Sequence, residues 1–309
     1  MSRSVSFRNT TRRDALKILA AAPAALSAAA GTPTKFQLGC MTLPYAAFPL
    51  ERALEGIRRA GYDYVAWGTT HQNAPGRRDP VMPKDAPPAE AKKLADHCRS
   101  LGLQPVMMFS EIYVAHPDSV RVHTRRIEQA AAAEIKIVLT FGEIKAGAED
   151  IWITNLKQLG PIARQNGVLV TIKQHGGNTA TGKDCLRIVQ QVNDPGVKMT
   201  YDAGNVLDYN NDDPIPDIQA CWQEIRAFCI KDHRNTPKDE DCGPGFGEID
   251  HYKLLMPVMN TGLTMPLAFE NIFEPLVPRP TDPAGVDAVA RRSREFIESV
   301  LAGLRAYAR

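Results

Sequence analysis

The sequence predicts an α/β chain of the closed (β/α)8 (TIM) barrel class, folded as a single domain. Three observations predict it. Short apolar stretches alternate with amphipathic helical stretches eight times over roughly 270 residues, a length that suits such a barrel. Strands separated by helical segments pair in parallel. No Gly-x-Gly-x-x-Gly follows the first strand, so an open dinucleotide-binding sheet lacks its fingerprint.

The elements follow in order. Residues 36–41 form the first strand. Residues 50–60 form a helix with Leu50, Ala53, Leu54 and Ile57 on one face, closed by Gly61. Residues 62–67 are the second strand. Residues 68–88 contain five prolines and read as a long loop, suited to a lid or the mouth of a site. A helix over 89–100 leads to a third strand at 104–109. Pro117 suits the first turn of a helix over 117–133. The fourth strand covers 135–141, then a helix 150–165 stops at Gly167. Strand five is 168–173, helix 182–192 follows, and Asp194-Pro195-Gly196 turns the chain into strand six at Val197. Residues 215–227 read as helix and Phe228 opens strand seven. A glycine-bearing loop 234–248, a helix 250–259, an eighth strand 265–270 and a closing helix 287–306 complete the chain.

Four strands end in ionisable groups: Lys173 and His175, Asp202, Lys231 to His233, and Glu270. Side chains two apart on a strand point the same way. Thr171, Lys173 and His175 therefore share a face, as do Thr200 and Asp202, Cys229, Lys231 and His233, and Ala268 and Glu270. In a barrel of this class the site lies at the carboxyl ends of the strands. Lys173, His175, Asp202, His233 and Glu270 are expected to converge there. Carboxylates and imidazoles together suit a divalent metal such as Mn²⁺, Zn²⁺ or Mg²⁺. Such a metal binds a sugar carbonyl and its neighbouring hydroxyl while a carboxylate moves the adjacent proton.

The residues also resemble a known family. His175-Gly176-Gly177 follows strand five, and Tyr201-Asp202-Ala203-Gly204-Asn205 ends strand six. Ile230-Lys231-Asp232 lies in strand seven, with Gly245-Phe246-Gly247-Glu248-Ile249-Asp250 after it, and Phe269-Glu270-Asn271 ends strand eight. In order and spacing these resemble the xylose isomerase-like superfamily of sugar isomerases and epimerases, over roughly residues 35–307. That resemblance implies a metal held by Glu, Asp, His and Glu from strands five to eight, with the two glutamates doubling as acid and base. Asp202 and Glu270 match. Lys173 stands where the strand-five Glu is usual, and Cys229 where the strand-seven His is usual.

Three readings follow. In the first, the metal is kept by a shifted set, Asp202, Glu270, His233 and His175, with Glu270 as base and Lys173 as proton donor. In the second, the Lys173 ammonium takes the metal's place between Asp202 and Glu270, and the protein binds sugar or works as a metal-independent lyase or isomerase. In the third, the site has lost its chemistry and binds carbohydrate only. His71, Glu111, His116, Glu143, Asn205 and Lys231 follow strand ends and are expected to line the substrate pocket. The glycines from Gly243 to Gly247 either cradle a phosphate or simply turn the chain.

The composition bounds the partners. Residues 1–30 carry a net charge of +4, so the remainder of this +2 chain is −2. A basic nucleic-acid footprint is absent from that remainder, which argues against a nucleic-acid partner and against an endonuclease of the same barrel type. Thr11-Arg12-Arg13-Asp14-Ala15-Leu16-Lys17, followed by an alanine-rich stretch to Ala30, resembles a twin-arginine export signal. The expected division is signal 1–30 and barrel 31–309, with periplasmic or extracellular localisation. No stretch of roughly 18 residues is apolar enough for a membrane span in the mature form. The six cysteines include no Cys-x-x-Cys pair, and one disulfide is open to them.

Overall fold

The structure is a computed structural model that describes residues 31–143 and 147–307. The proposed signal lies outside them. Eight parallel strands close a barrel: Lys35–Met41, Tyr64–Trp67, Gln104–Phe109, Ile137–Phe141, Leu169–Lys173, Val197–Tyr201, Ile225–Ile230 and Thr264–Phe269. Each strand pairs with its neighbour in sequence, and the eighth closes on the first, Phe36 lying opposite Met265. This is the (β/α)8 class that the alternation of strands and helices predicts.

Alternation along the strands divides the core in two. One set faces the barrel axis: Met41, Ala66, Met107, Ile137, Leu139, Ala227, Cys229 and Ala268 are all buried there. The other set packs under the helices and forms the larger cluster, with Val65, Val138, Val170, Ile172, Met199 and Phe228. Strands covered on both faces are apolar almost throughout. Strands four to six carry buried threonines: Thr140 donates to the Thr171 carbonyl at 2.8 Å. Thr171 and Thr200 face each other inside, with their hydroxyls 2.8 Å apart. That buried polar pair lies two residues before Lys173 and Asp202, on the same faces.

Several local expectations need correction. The proline-rich stretch 68–88 is not all loop: Thr70–Ala74 and Arg77–Pro80 pair as an antiparallel hairpin. Pro75-Gly76 makes its turn, Gly76 supplying the positive φ of 71°. The stretch 234–248 likewise begins within a hairpin of Asp232–Arg234 with Glu240–Cys242. The helix expected over 215–227 spans only Pro214–Cys221, and strand seven begins at Ile225 instead of Phe228. Ile218, Cys221 and Ile225 keep helical spacing through that junction, which hides it.

One helix was not foreseen. Ala203–Asn210 follows Asp202 directly, and the Asp202 side chain accepts the Asn205 amide at 3.0 Å as its N-cap. Gly204 reads as a loop residue from sequence because glycine weakens a helix. Its reason here is space: a Cβ would stand 2.6 Å from the Lys231 side chain.

All six cysteines are buried and free. No helix among the described residues is long and apolar enough to cross a membrane.

Candidate active site

The carboxyl ends of strands five, six and eight bring Lys173, Asp202 and Glu270 together. The Lys173 ammonium lies 2.8 and 2.7 Å from the two Glu270 oxygens. It lies 2.8 Å from Asp202 Oδ2. Lys173 is 2% exposed and Asp202 0%, whereas the Glu270 side chain keeps 14% of its surface open. The triad is thus sealed from below and reachable at Glu270.

Asp202 is held from several sides. Its Oδ1 accepts the Asn205 amide, and its own amide donates to Gln174 Oε1 at 2.8 Å. Asn205 in turn donates to the Gln174 carbonyl. Lys231 spans Asn205 Oδ1 and Asp241 Oδ2, the latter at 2.6 Å. Lys173 thus contacts the Asp202 carboxylate directly, and Lys231 stands behind it through Asn205. A buried lysine without carboxylates at this range would lose its proton instead.

The proton affinities follow. Burial works against the Lys173 charge, but the carboxylates of Asp202 and Glu270 outweigh it and hold its pKa well above the ordinary lysine value. Burial also works against the Asp202 carboxylate; Lys173 and Lys231 outweigh it and bring its pKa down to about 2. Glu270 moves the other way. Burial raises it, Lys173 pulls it down, and the neighbouring Asp202 charge raises it again, leaving it above the ordinary glutamate range. The same surroundings thus push the two acids apart, Asp202 toward the ionised form and Glu270 toward the protonated one.

His175 does not join the acids. Its Nδ1 faces the Gly142 carbonyl at 2.8 Å. Its ring packs beside Phe141 at 5.0 Å and Tyr209 at 5.3 Å, with Tyr113 at 6.4 Å. Burial, and then the Lys173 charge, lower its pKa, so the ring is a neutral part of an aromatic wall. Apolar and aromatic walls with a few converging polar groups make small-ligand pockets. Tyr113 and Tyr209 were not among the expected pocket residues; Tyr209 sits on the unforeseen helix, so no strand parity pointed to it.

His233 also leaves the expected face. Asp232 accepts the amides of His233, Gly245 and Ile249, which folds the chain away from the barrel axis. A Cβ on Gly247 would stand 2.2 Å from the Asp232 carboxylate, so that glycine permits the turn, and Gly245 has the positive φ of 86°. These glycines close around Asp232. His233 faces Asp241 and Asp239 instead of Asp202.

The weaker candidates divide. Asn205 and Lys231 belong to the site as described. Glu111 is committed to the buried Arg126, and His71 is buried with Nδ1 on the Phe48 carbonyl at 2.9 Å. His116 Nδ1 accepts the Asp118 amide at the start of its helix. Glu143 is half-buried beyond strand four. A cavity of about 340 Å³ opens at the other end of the barrel, among Gln104, Pro105, Val106, Leu169 and Pro266. It lies at the strand starts, away from the triad.

Two groups of potential metal ligands occur among the described residues: Asp202, Cys229 and Glu270, and Asp208, His233 and Asp239. The set Asp202, Glu270, His233 and His175 is not one of them. At the first group the Lys173 ammonium already sits against both carboxylates. Burial keeps the Cys229 thiol well above its usual pKa despite nearby Lys173. These residues do not fit a divalent ion at the mouth while Lys173 stands there.

The matches to known proteins agree with the fold. A family model described as xylose isomerase-like TIM barrel matches residues 54–299. The chain belongs to that family. Among solved structures, an L-ribulose 3-epimerase superposes with a TM-score of 0.67 at 17% identity, over 88% of this chain and 96% of that one. A structure titled "IOLI protein with a binding zinc atom" gives 0.68 at 16% identity, over 87% and 99%. A fusion of a xylose isomerase-like barrel with 4-hydroxyphenylpyruvate dioxygenase gives 0.65 at 19%; this chain covers only 43% of it. No curated protein matches.

Proposed function

We propose that this barrel moves a proton at the carbon beside a carbonyl of a small sugar or sugar derivative, with Glu270 as base and the Lys173 ammonium at the substrate oxygen. One observation carries this reading: Lys173 lies between Asp202 and Glu270, where the family resemblance implies a metal ion. A fixed positive charge beside a base is what an enediolate requires. Glu270 takes the proton from carbon, and the electron pair moves onto the carbonyl oxygen, which pairs with Lys173. Delivery of the proton to the neighbouring carbon, with the hydroxyl proton passing to the former carbonyl oxygen, completes an isomerisation; epimerisation instead requires a second acid that protonates the opposite face of the same carbon. Asp202 stays ionised and keeps Lys173 charged. A charged lysine is no nucleophile, which disfavours Schiff-base chemistry. The metal-assisted version with His175 and His233 as ligands has less support, because both rings face other partners.

The reading draws on family membership and on the sugar epimerase among the structural neighbours. A second reading, carbohydrate binding without turnover, is favoured by the mutual neutralisation of Lys173, Asp202 and Glu270. Solvent deuterium exchange into a panel of ketoses separates the two. Wild-type protein is expected to label at least one ketose, and Glu270→Gln to slow labelling by roughly 10²–10⁴-fold. Binding of a ketose with no labelling would leave only the binding reading.

We also propose that residues 1–30 direct folded export by the twin-arginine route to the periplasm or beyond, leaving 31–309 as the mature barrel. The support is Arg12-Arg13 with Leu16 and Lys17 before an alanine-rich stretch. Replacing both arginines by lysine is expected to retain the protein in the cytoplasmic fraction; unchanged export would contradict the assignment.

A further inference from the structure

We infer that the rim of the barrel carries a divalent-cation site of its own, built from Asp208, His233 and Asp239. It is separate from the triad and does not depend on the reaction proposed for it. Asp208 lies on the helix Ala203–Asn210, His233 on the hairpin strand Asp232–Arg234, and Asp239 on the turn of that hairpin. One ligand atom from each lies within 4.8 Å of the others.

The imidazole carries the argument. His233 is 1% exposed, and its Nδ1 faces Asp241 Oδ1 at 3.1 Å. An ionised carboxylate only accepts, so Nδ1 holds the proton and Nε2 presents its lone pair. That Nε2 is buried and makes no hydrogen bond, yet it lies 3.2 Å from Asp239 Oδ1. Two acceptors face each other across that gap. A cation between them relieves the conflict. A second proton on His233 is the competing solution, and the test separates the two.

The surroundings suit a metal. Asp241 fixes the ring orientation and is itself anchored by Lys231 at 2.6 Å. Carboxylate partners behind a histidine ligand serve this purpose in metal sites. Asp208 and Asp239 are exposed, which gives an ion a path from solvent. One imidazole nitrogen and two carboxylates suit Zn²⁺ or Mn²⁺, with positions left for further oxygen ligands. Helix and hairpin both follow strand ends, so the site lies on the same side of the barrel as Glu270. It also ties the hairpin to the helix that Asp202 caps.

The test is a titration of chelator-treated full-length protein. Zn²⁺ binding is followed by calorimetry and Co²⁺ binding by visible absorption. One equivalent is expected to bind with a nitrogen–oxygen ligand spectrum. Asp239→Asn, at an exposed position, and Asp241→Asn are each expected to weaken binding by roughly 10–100-fold. Glu270→Gln is expected to leave it unchanged. Melting curves without metal establish that each variant is folded. The inference is overturned by no saturable binding below about 1 mM; imidazolium nitrogen shifts for His233 would then identify the second proton as what fills the gap. The inference is equally overturned by binding that Glu270→Gln removes and Asp239→Asn does not, since that ion would sit at the barrel mouth.

Discussion

Replacing Lys173 by methionine is expected to destabilise the protein by about 3–5 kcal/mol, the range for breaking a buried ion pair from one side. Methionine preserves much of the side-chain volume, so packing is not the cause. The cost comes from leaving Asp202 and Glu270 buried and facing each other without their ammonium. Adding Glu270→Gln to the Lys173→Met variant removes one of the two charges and is expected to recover most of the loss. Urea denaturation near neutral pH measures both.

The pH dependence has a definite sign. The Asp202 pKa is held down to about 2 in the folded protein, against about 3.9 in an unfolded chain. A depressed carboxyl pKa contributes stability that is present above the unfolded value and lost as pH falls through the folded one. In wild-type protein this contribution fades between about pH 4 and pH 2. In the Lys173→Met variant the contribution is gone at neutral pH. The stability gap between the two proteins is therefore expected to narrow as the pH falls through that window. A gap below about 1 kcal/mol at neutral pH would mean that solvent screens the pair, as it does surface ion pairs.

Replacing Lys173 by glutamate is expected to have the opposite chemical sense. It puts a third carboxylate where the ammonium stood and supplies the strand-five acid that the family resemblance implies. Without metal, this variant is expected to be less stable than wild type, because three buried carboxylates repel one another. With Mn²⁺ or Zn²⁺ it is expected to gain stability, about 2.7 kcal/mol at a free ion concentration one hundred times the dissociation constant. Carrying Asp239→Asn in both proteins weakens the rim site equally, so the difference in gain between them reports the mouth. Thermal melting with and without the ion reads it out. Equal metal-dependent stabilisation with and without Lys173→Glu would show that lysine does not occupy the seat.

The barrel itself was legible because its signals are periodic. Alternation inside strands and helical spacing between them repeat eight times, and parity alone placed Lys173, Asp202 and Glu270 on converging faces. The lysine at the strand-five position was visible in the sequence, but whether it or a metal fills the centre stayed open among the three readings. What could not be read was direction beyond the strand ends. His175 is two residues past Lys173, but the strand has ended and a Gly142 carbonyl captures its ring. His233 is two residues past Lys231, but Asp232 gathers three amides and turns the chain outward. Both depart from parity because it holds only while the backbone stays extended. Tyr209 and Asp208 were missed for a related reason: their helix is only eight residues long and opens Ala203-Gly204. Its clearest mark is an aspartate cap that the chemistry also claims.

The most direct measurement is anomalous diffraction from wild-type crystals soaked in Mn²⁺. The prediction is no anomalous peak between Asp202 and Glu270, with the Lys173 ammonium in density against both carboxylates. Any bound manganese is expected at Asp208, His233 and Asp239. A peak coordinated by Asp202 and Glu270, with Lys173 swung aside, would contradict the central claim that lysine has taken the metal's place.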